Sequence, residues 1–377
     1  MTKLQKTINV LIDNIDPLRG IKGNISNDDD TFYTMEAIFP EANINYHASG
    51  TLLCKNKLID NWVYPIIIHN LTFINFMFDW GAGNKDIIGL LPPRVQRLYL
   101  EGRGTIVVII KEPLQTMHPD NDDLQNFIRM IEENPRYKNI LFLTLHYIDS
   151  PNFIFTNVIE NTMKDFVPVT SIAWEYKEQK CEYLEDYKSR RFLCLLVNYK
   201  ESSERLALIK FLEQHKLLNK GFVSAPDYPS AEIFKELDIM SGFNKSLLNI
   251  IPEGNFDRRG YHFITEKSYR SFLHKKPFIY LGQYEGLKFI RSMGYKTFSP
   301  IINESYDNID NDKLRAATVC KEIKRLVDKP IEDFVKDMSQ LQDICEHNYK
   351  VYVSSKANFK DKFYKKIYGT NNANFKN

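Results

Sequence analysis

Two short apolar runs separated by one amphipathic segment constrain the fold of this chain most strongly. The runs are TIVVII at 105–110 and NILFLTL at 139–145, which are rich in branched side chains and bounded by polar turns, as buried strands are. The segment between them starts with acidic residues, spaces its apolar side chains as one helix face does, and ends at Pro135. Strand, helix and strand with short connections form a βαβ unit, which predicts a parallel sheet in an α/β fold.

The same alternation resumes in the second half of the chain, where apolar runs are again followed by amphipathic segments. The predicted elements there are a strand at 192–198, a helix at 203–216, a strand at 221–226, a helix at about 266–275, a strand at 277–281, a helix at 285–294 and a strand at 296–301. Residues from about 312 to 348 are predicted to be helical, with Pro330 at the first position of the second of two helices.

The length of 377 residues exceeds what one compact core usually holds, so two domains are expected. A charged stretch at 175–191 separates the two α/β regions and is the predicted linker, although a short solvated helix has the same pattern. The predicted organisation is an α/β domain at 1–180, a second α/β domain at 181–330, and a C-terminal helix with a basic tail at 331–377.

The composition excludes several classes of protein. A formal net charge of +2 gives no overall field toward nucleic acid or membrane, so such a contact would need a local patch. The five cysteines are scattered without a CxxC pair, unlike a disulfide framework or a structural zinc site. No apolar run is long enough for a membrane span, and the first residues show no apolar leader. A cytoplasmic location is expected, and the oligomeric state is not indicated.

The stretch TEKSYRSFLHKKPFIYLG at 265–282 carries the first candidate site. Thr265 is a good N-cap and places Glu266 and Lys267 in the first turn of a helix. Free backbone N–H groups and the helix dipole favour an anion there, and Lys267 adds a positive charge. Glu266 can accept hydrogen bonds from a diol such as a ribose. The alternative is that Glu266 only complements the dipole and that Lys267 is a solvated surface charge.

A second candidate site follows the strand at 192–198. A polar loop carries Asn198 and Lys200, and the next helix begins near Ser203 with Arg205 in its first turn. In open α/β sheets, ligands bind at this carboxyl edge of the strands, and the arginine fork suits phosphate. The alternative is an exposed Arg205 that pairs with Glu201.

Three ordered segments in the range 190–327 resemble nucleotide-sugar glycosyltransferases. They are the strand–Asn–loop–Arg–helix segment, the ITEK segment at 264–267, and GYKTFSPIINESYDNI at 294–309. The α-1,3-fucosyltransferase and exostosin-like families have comparable ITEK-type segments. The closer resemblance is to glycosyltransferase-like proteins of phages, large viruses and marine bacteria. It covers about a third of the chain, and the first 180 residues are outside it.

The resemblance implies two Rossmann-like domains facing a cleft, a GT-B-like fold in which the C-terminal domain holds the nucleotide. It places Glu266 near the ribose, Lys267 near the diphosphate, and Arg205 as a second diphosphate contact that stabilises the leaving group. Asn198 and Lys200 are placed at the mouth of the same site. Positive side chains of this kind can replace a divalent metal. We therefore expect metal-independent chemistry and no cofactor, since the nucleotide-sugar is a substrate.

The segment NESYDN carries the next group of candidate residues. Glu304, Tyr306 and Asp307 are predicted to contact the sugar or the nucleotide, with ordinary turn residues as the alternative. An inverting transferase also needs a base in its N-terminal domain. Asp79, at a predicted strand end before a glycine loop, is the first candidate, and Asp149 is the second.

The acceptor is the least determined part of this hypothesis. Arg94, Arg97 and Arg103 cluster in LLPPRVQRLYLEGRG and could meet an anionic acceptor, although a solvated face has the same pattern. The tail at 356–377 interleaves lysines with aromatic residues, which fits either a partly disordered terminus or a contact to a polyanion. Hydroxymethylated bases of phage DNA are one expected acceptor, and a cell-surface or virion glycan is the other. A module that binds a nucleotide or glycan without catalysis remains the alternative outside enzymes.

Overall fold

Two compact units, each built on its own sheet, make up the fold. The computed structural model describes residues 7–12, 35, 39, 42–48, 62–68, 87–110, 122–144, 150–155, 191–196, 202–224, 243, 245–253 and 264–368. The first unit is Met1–Val167 with Ser355–Asn377, and the second is Pro168–Ser354. The sequence-based division at 180 and 330 treats the C-terminal residues as a separate part, whereas Ser355–Asn377 belongs to the first unit. The predicted linker lies outside the described residues, apart from Arg191.

Strands and helices alternate along the described part of the chain. The strands are β1 (Thr7–Ile12), β2 (Asn43–Ala48), β3 (Trp62–Ile68), β4 (Gly104–Ile110), β5 (Ile140–Thr144), β6 (Phe153–Phe155), β7 (Phe192–Cys194), β8 (Gly221–Val223), β9 (Leu248–Pro252) and β10 (Phe278–Leu281). The helices are α1 (Ile87–Leu90), α2 (Pro93–Leu100), α3 (Asp122–Glu133), α4 (Ser203–Gln214), α5 (Glu266–Leu273), α6 (Gly286–Ser292), α7 (Asp312–Val327), α8 (Ile331–Ser339) and α9 (Gln342–Tyr368).

The first unit contains a sheet with the order β2–β1–β3–β4–β5–β6, in which all neighbours are parallel. Every residue of β4 and β5 is buried, and Ile106 lies opposite Ile140. Helix α3 is the crossover between these two strands, and its Phe127 ring meets the edge of Phe142 at 5.6 Å. The βαβ unit predicted from the sequence is confirmed.

The second unit contains a parallel sheet with the order β10–β9–β7–β8. Each of these strands is buried along its whole length. The α/β class with two parallel-sheet units is therefore confirmed, and the cleft between domains stays a prediction. Because all four strands run the same way, their carboxyl ends share one edge of the sheet, which is where α4, α5 and α6 begin after β7, β9 and β10.

Residues 296–301, predicted as a strand, form turns instead. The N–H groups of Ile301 and Ile302 donate to the carbonyl of Phe298 at 3.0 and 2.9 Å, and the Phe298 N–H donates to the Glu304 carboxylate at 2.5 Å. These backbone groups are used locally, so they cannot join a sheet ladder. Pro330 is the residue before α8 rather than its first residue.

The C-terminal segment from residue 356 to 368 is more ordered than predicted from its sequence. Helix α9 continues to Tyr368, so the partly disordered terminus is wrong for residues 356–368. Phe363 and Ile367 are buried in the core of the first unit, where the rings of Phe39 and Phe363 lie 4.5 Å apart. Tyr364 and Tyr368 pack against the same core, because residues that recur at a spacing of three or four lie on one face of a helix.

The described cysteines pack as apolar side chains. Cys194, Cys320 and Cys345 are buried free thiols, and burial raises the pKa of each. Among the helices that the structure describes, none combines the length and apolar character needed to cross a membrane.

Candidate functional site

Glu253 links the end of β9 to the start of α5. It directly follows Pro252, is 1% exposed, and its carboxylate accepts hydrogen bonds from the Thr265 hydroxyl at 2.6 Å and the Ser268 hydroxyl at 3.1 Å. The Thr265 N–H also donates to it at 3.4 Å. The helix therefore starts at a fixed position beside the carboxyl end of β9.

The first turn of α5 has the form that the sequence predicts. Thr265 is the N-cap, and its hydroxyl oxygen accepts from the Lys267 N–H at 3.4 Å. The Lys267 side chain folds back over this cap, because its Nζ donates to the same oxygen at 3.3 Å. Glu266 is the first residue of the helix. A positive charge thus lies at the positive end of the helix dipole, an arrangement that favours a bound anion.

Arg205 reaches the same strand end from a different helix. It lies in the first turn of α4, whose N-cap Ser202 accepts from the Arg205 N–H at 3.4 Å. The side chain is buried at 8% exposure, and Nε donates to the carbonyl oxygen of Pro252 at 3.2 Å. Two of the predicted donor residues are thus linked to the carboxyl end of β9, Arg205 through the Pro252 carbonyl and Lys267 through Thr265, which bonds to Glu253. The exposed Arg205 of the alternative interpretation is wrong.

The end of β10 lies next to this strand end. The Glu253 N–H donates to the Leu281 carbonyl at 2.9 Å. Burial raises the pKa of the Tyr280 phenol, and the nearby charges of Glu253 and Asp307 raise it further. The Gln283 backbone gives this phenol a hydrogen bond. Tyr280 is thus bonded to the loop that follows β10.

The NESYDN segment packs beside that loop through its own side chains. The Glu304 carboxylate accepts from the Thr297 hydroxyl at 2.7 Å and from the Phe298 N–H, and burial raises its pKa. Tyr306 is 2% exposed, and burial raises the pKa of its phenol. Asp307 accepts from the N–H groups of the first turn of α6, Leu287 at 2.8 Å and Lys288 at 3.0 Å. These contacts hold the segment in place, and a role in donor binding stays a prediction.

An open depression of about 480 Å³ lies at this segment. Its polar lining includes Arg291, Asn303, Glu304 and Asn308. The Arg291 guanidinium lies 3.4 Å from a Glu304 carboxylate oxygen and 3.4 Å from an oxygen of Asp307. One cation is thus shared by two carboxylates at the rim of the depression.

Several predicted site residues lie outside the described residues. They are Asp79, Asp149, Asn198 and Lys200. Glu266 belongs to α5, but its side chain is also outside the described part of the structure. Their roles stay predictions. The first unit places Arg94 and Arg97 on α2, both exposed, and Arg103 is half-buried between α2 and β4. Arg97 lies 3.8 Å from Glu101, so part of its charge is already balanced.

The sequence analysis missed Glu253 and Gln283. Each follows the carboxyl end of a buried strand, Glu253 after LNIIP and Gln283 after FIYLG. A polar residue directly after a buried strand was the available signal, and it was used for Asn198 and Asp79 but not for these two residues. Among the described residues, no group of three or more His, Cys, Asp or Glu side chains is placed to hold a metal ion. Metal-independent chemistry stays an expectation.

Comparison with known proteins finds a likeness to solved structures only. No family model matches the chain, and no curated protein matches it. A crystal structure of an alpha1,3-fucosyltransferase aligns with a TM-score of 0.47 and 10% identity, covering 98% of this chain and 92% of that one. A crystal structure of an alpha1,3-fucosyltransferase with GDP aligns with a TM-score of 0.45 and 10% identity, covering 98% and 93%. At these values the function has to be argued from the site itself.

Proposed function

We propose that this chain is a glycosyltransferase that moves a sugar from a nucleotide-sugar donor to an acceptor hydroxyl. The observation that carries the proposal is that Arg205 and Lys267, from two helices, are both linked to the carboxyl end of β9, Arg205 at Pro252 and Lys267 through Thr265 and Glu253. A strand edge with two cations and a helix N-terminus is suited to a diphosphate. The Arg205 guanidinium, the Lys267 ammonium and the backbone N–H groups of the helix can all donate hydrogen bonds to phosphate oxygens.

The chemistry follows from where charge develops during transfer. The acceptor oxygen forms a bond to the anomeric carbon, the bond from that carbon to the diphosphate oxygen breaks, and the acceptor proton passes to a base. Arg205 and Lys267 stabilise the negative charge that the departing nucleoside diphosphate gains. Glu266, at the first position of α5, is the proposed ribose contact, and Asn198 and Lys200 belong to the mouth of the site. Asp79 or Asp149 supplies the base.

For the acceptor we propose an anionic molecule, with hydroxymethylated duplex DNA as the first choice. Arg94 and Arg97 lie exposed three residues apart on α2, so both can face one phosphate backbone. DNA affinity that falls steeply with added salt supports this acceptor. Affinity that is absent or insensitive to salt contradicts it and leaves a neutral glycan as the acceptor.

A thermal-shift screen with nucleoside diphosphates and their sugars tests the donor site. A ligand at about one hundred times its Kd should stabilise the protein by about 2.7 kcal/mol. One nucleoside diphosphate should raise Tm, and Lys267→Met, which we expect to bind about tenfold more weakly, should reduce the stabilisation at the same ligand concentration to about half. Lys210→Met, on the exposed face of α4, is the matched control and should keep the full stabilisation.

Release of the nucleoside diphosphate separates an enzyme from a binding module. With the selected sugar nucleotide and an acceptor, release should follow enzyme concentration. Binding without any release, even of the slow hydrolytic kind, would identify a non-catalytic module. The absence of a thermal shift with every nucleotide would contradict the proposed donor site.

A further inference from the structure

Gln283 carries a buried carboxamide that has no hydrogen-bond partner among the described residues. It follows Gly282 at the carboxyl end of β10 and is 2% exposed. Within the described part of the chain, neither its Nε2 nor its Oε1 makes a hydrogen bond. Buried polar groups are almost always paired, because an unpaired one keeps the penalty of leaving water. A residue that departs from this rule at a strand end calls for a physical reason.

The backbone around Gln283 is held by hydrogen bonds on both sides. The Arg315 Nε donates to the Gly282 carbonyl at 3.0 Å, and the Gly286 N–H donates to the Gln283 carbonyl at 3.1 Å. The Tyr280 ring fills the space beside both glycines, since an added Cβ would lie 2.3 Å from it at Gly282 and 2.4 Å at Gly286. The backbone that carries the Gln283 amide is therefore held in one conformation.

Gln283 also belongs to the same edge as the proposed diphosphate site. Strand β10 pairs with β9, with Leu281 opposite Pro252, and Glu253 bonds to the Leu281 carbonyl. The Tyr280 phenol accepts a hydrogen bond from the Gln283 backbone, and the charge of Glu253 raises its pKa. Gln283 thus follows β10, the neighbour of β9. The carboxyl end of β9 is bonded to Arg205 at Pro252 and is linked to Lys267 through Thr265.

We propose that the Gln283 carboxamide recognises a polar group of the donor beyond its diphosphate, giving one hydrogen bond and accepting another. This inference rests on the proposed function. A carboxamide presents a donor beside an acceptor, so it pairs with a ligand group that does the same. Two parts of a nucleotide-sugar have this chemistry, the edge of the nucleobase and the hydroxyls of the sugar. Binding the donor would complete hydrogen bonds that the free protein leaves open.

Two substitutions separate recognition from a structural role. Gln283→Met keeps the length of the side chain but removes both hydrogen bonds, and Gln283→Glu keeps the shape but removes the donor. Gln214→Met, at the exposed end of α4, is the matched control. Because the amide has no partner to lose among the described residues, Gln283→Met should keep the Tm of the wild type without ligand. A marked fall in Tm would show that Gln283 serves the fold and would overturn the inference.

The binding experiment uses calorimetric titration with pyrophosphate, the selected nucleoside diphosphate and its sugar nucleotide. Gln283→Met should leave pyrophosphate affinity unchanged and weaken the sugar nucleotide by about tenfold or more. If Gln283→Met loses as much affinity for the nucleoside diphosphate as for the sugar nucleotide, the contact is to the base. If it loses affinity for the sugar nucleotide alone, the contact is to the sugar. Unchanged affinity for both overturns the inference while the proposed function stands. A wild type that binds none of these ligands overturns both.

Discussion

The Nε of Arg205 donates to the carbonyl oxygen of Pro252 at 3.2 Å, which joins the first turn of α4 to the last residue of β9. The bond uses one of the five N–H groups of the guanidinium for the fold. It fixes the direction of the side chain, as the proposed diphosphate contact of Arg205 requires. Positioning of this kind reduces the conformational entropy lost when a ligand binds.

Removing the Glu253 carboxylate should destabilise the second unit strongly. In Glu253→Ala, the hydroxyls of Thr265 and Ser268 lose their acceptor in a buried place. We expect a loss of about 3 kcal/mol of unfolding free energy, since each buried group left unpaired costs about 1–3 kcal/mol. Urea unfolding measures it. Glu213→Ala, on the exposed side of α4, should change stability by less than about 0.5 kcal/mol. A similar small change in Glu253→Ala would show that the carboxylate does not anchor α5.

Stability should fall in mild acid because of His274. Burial, followed by the charges of Lys276 and Arg270, lowers the pKa of His274 from 6.5 to about 3. The ring is neutral in the folded state and takes up a proton on unfolding, so its contribution is complete above pH 6.5 and is lost as pH falls toward 3.

The variant His274→Phe isolates this effect. Its stability relative to the wild type should rise by about 2 kcal/mol between about pH 7 and pH 5, as the linkage relation requires. Thermal unfolding across that range measures it. His215→Phe, at an exposed histidine after α4, provides the comparison and should show no such trend. If the stability of His274→Phe and of the wild type changed with pH in the same way, the ring of His274 would not be a buried neutral one.

The packing of the C-terminal helix into the first unit is testable at Phe363. This ring is 0% exposed and lies against Phe39. Phe363→Ala should cost about 3–5 kcal/mol, because it removes a buried ring and leaves a cavity. Lys362→Ala, at the neighbouring exposed position, should leave Tm nearly unchanged. If the two variants have the same Tm, residues 356–368 do not contribute to the core.

The regular elements could be predicted because their signal is periodic and local. The runs around Ile106 and Leu141 are apolar throughout, so they were recognised as buried parallel strands. The start of α5 was recognised from Thr265, whose capping role depends only on the residues that follow it. Arg205 was recognised for the same reason, as a cation in the first turn of a helix after a strand.

The features that escaped prediction depend on tertiary pairing. Glu253 and Gln283 are single residues in irregular positions, and their burial follows from the pairing of β9 with β10. The segment 296–301 has a strand-like composition, but the Glu304 carboxylate holds its backbone in turns. In the C-terminal helix, the many lysines concealed an apolar face whose partner, Phe39, lies more than three hundred residues away in the chain.

Calorimetric titration of the wild type and of Lys267→Met with the selected nucleoside diphosphate tests the central claim most directly. We predict that the variant binds about tenfold or more weakly, because a hydrogen bond to a charged group contributes about 1.5–3 kcal/mol. Lys210→Met should bind like the wild type. Equal affinity of the wild type and Lys267→Met would contradict a diphosphate site at the start of α5.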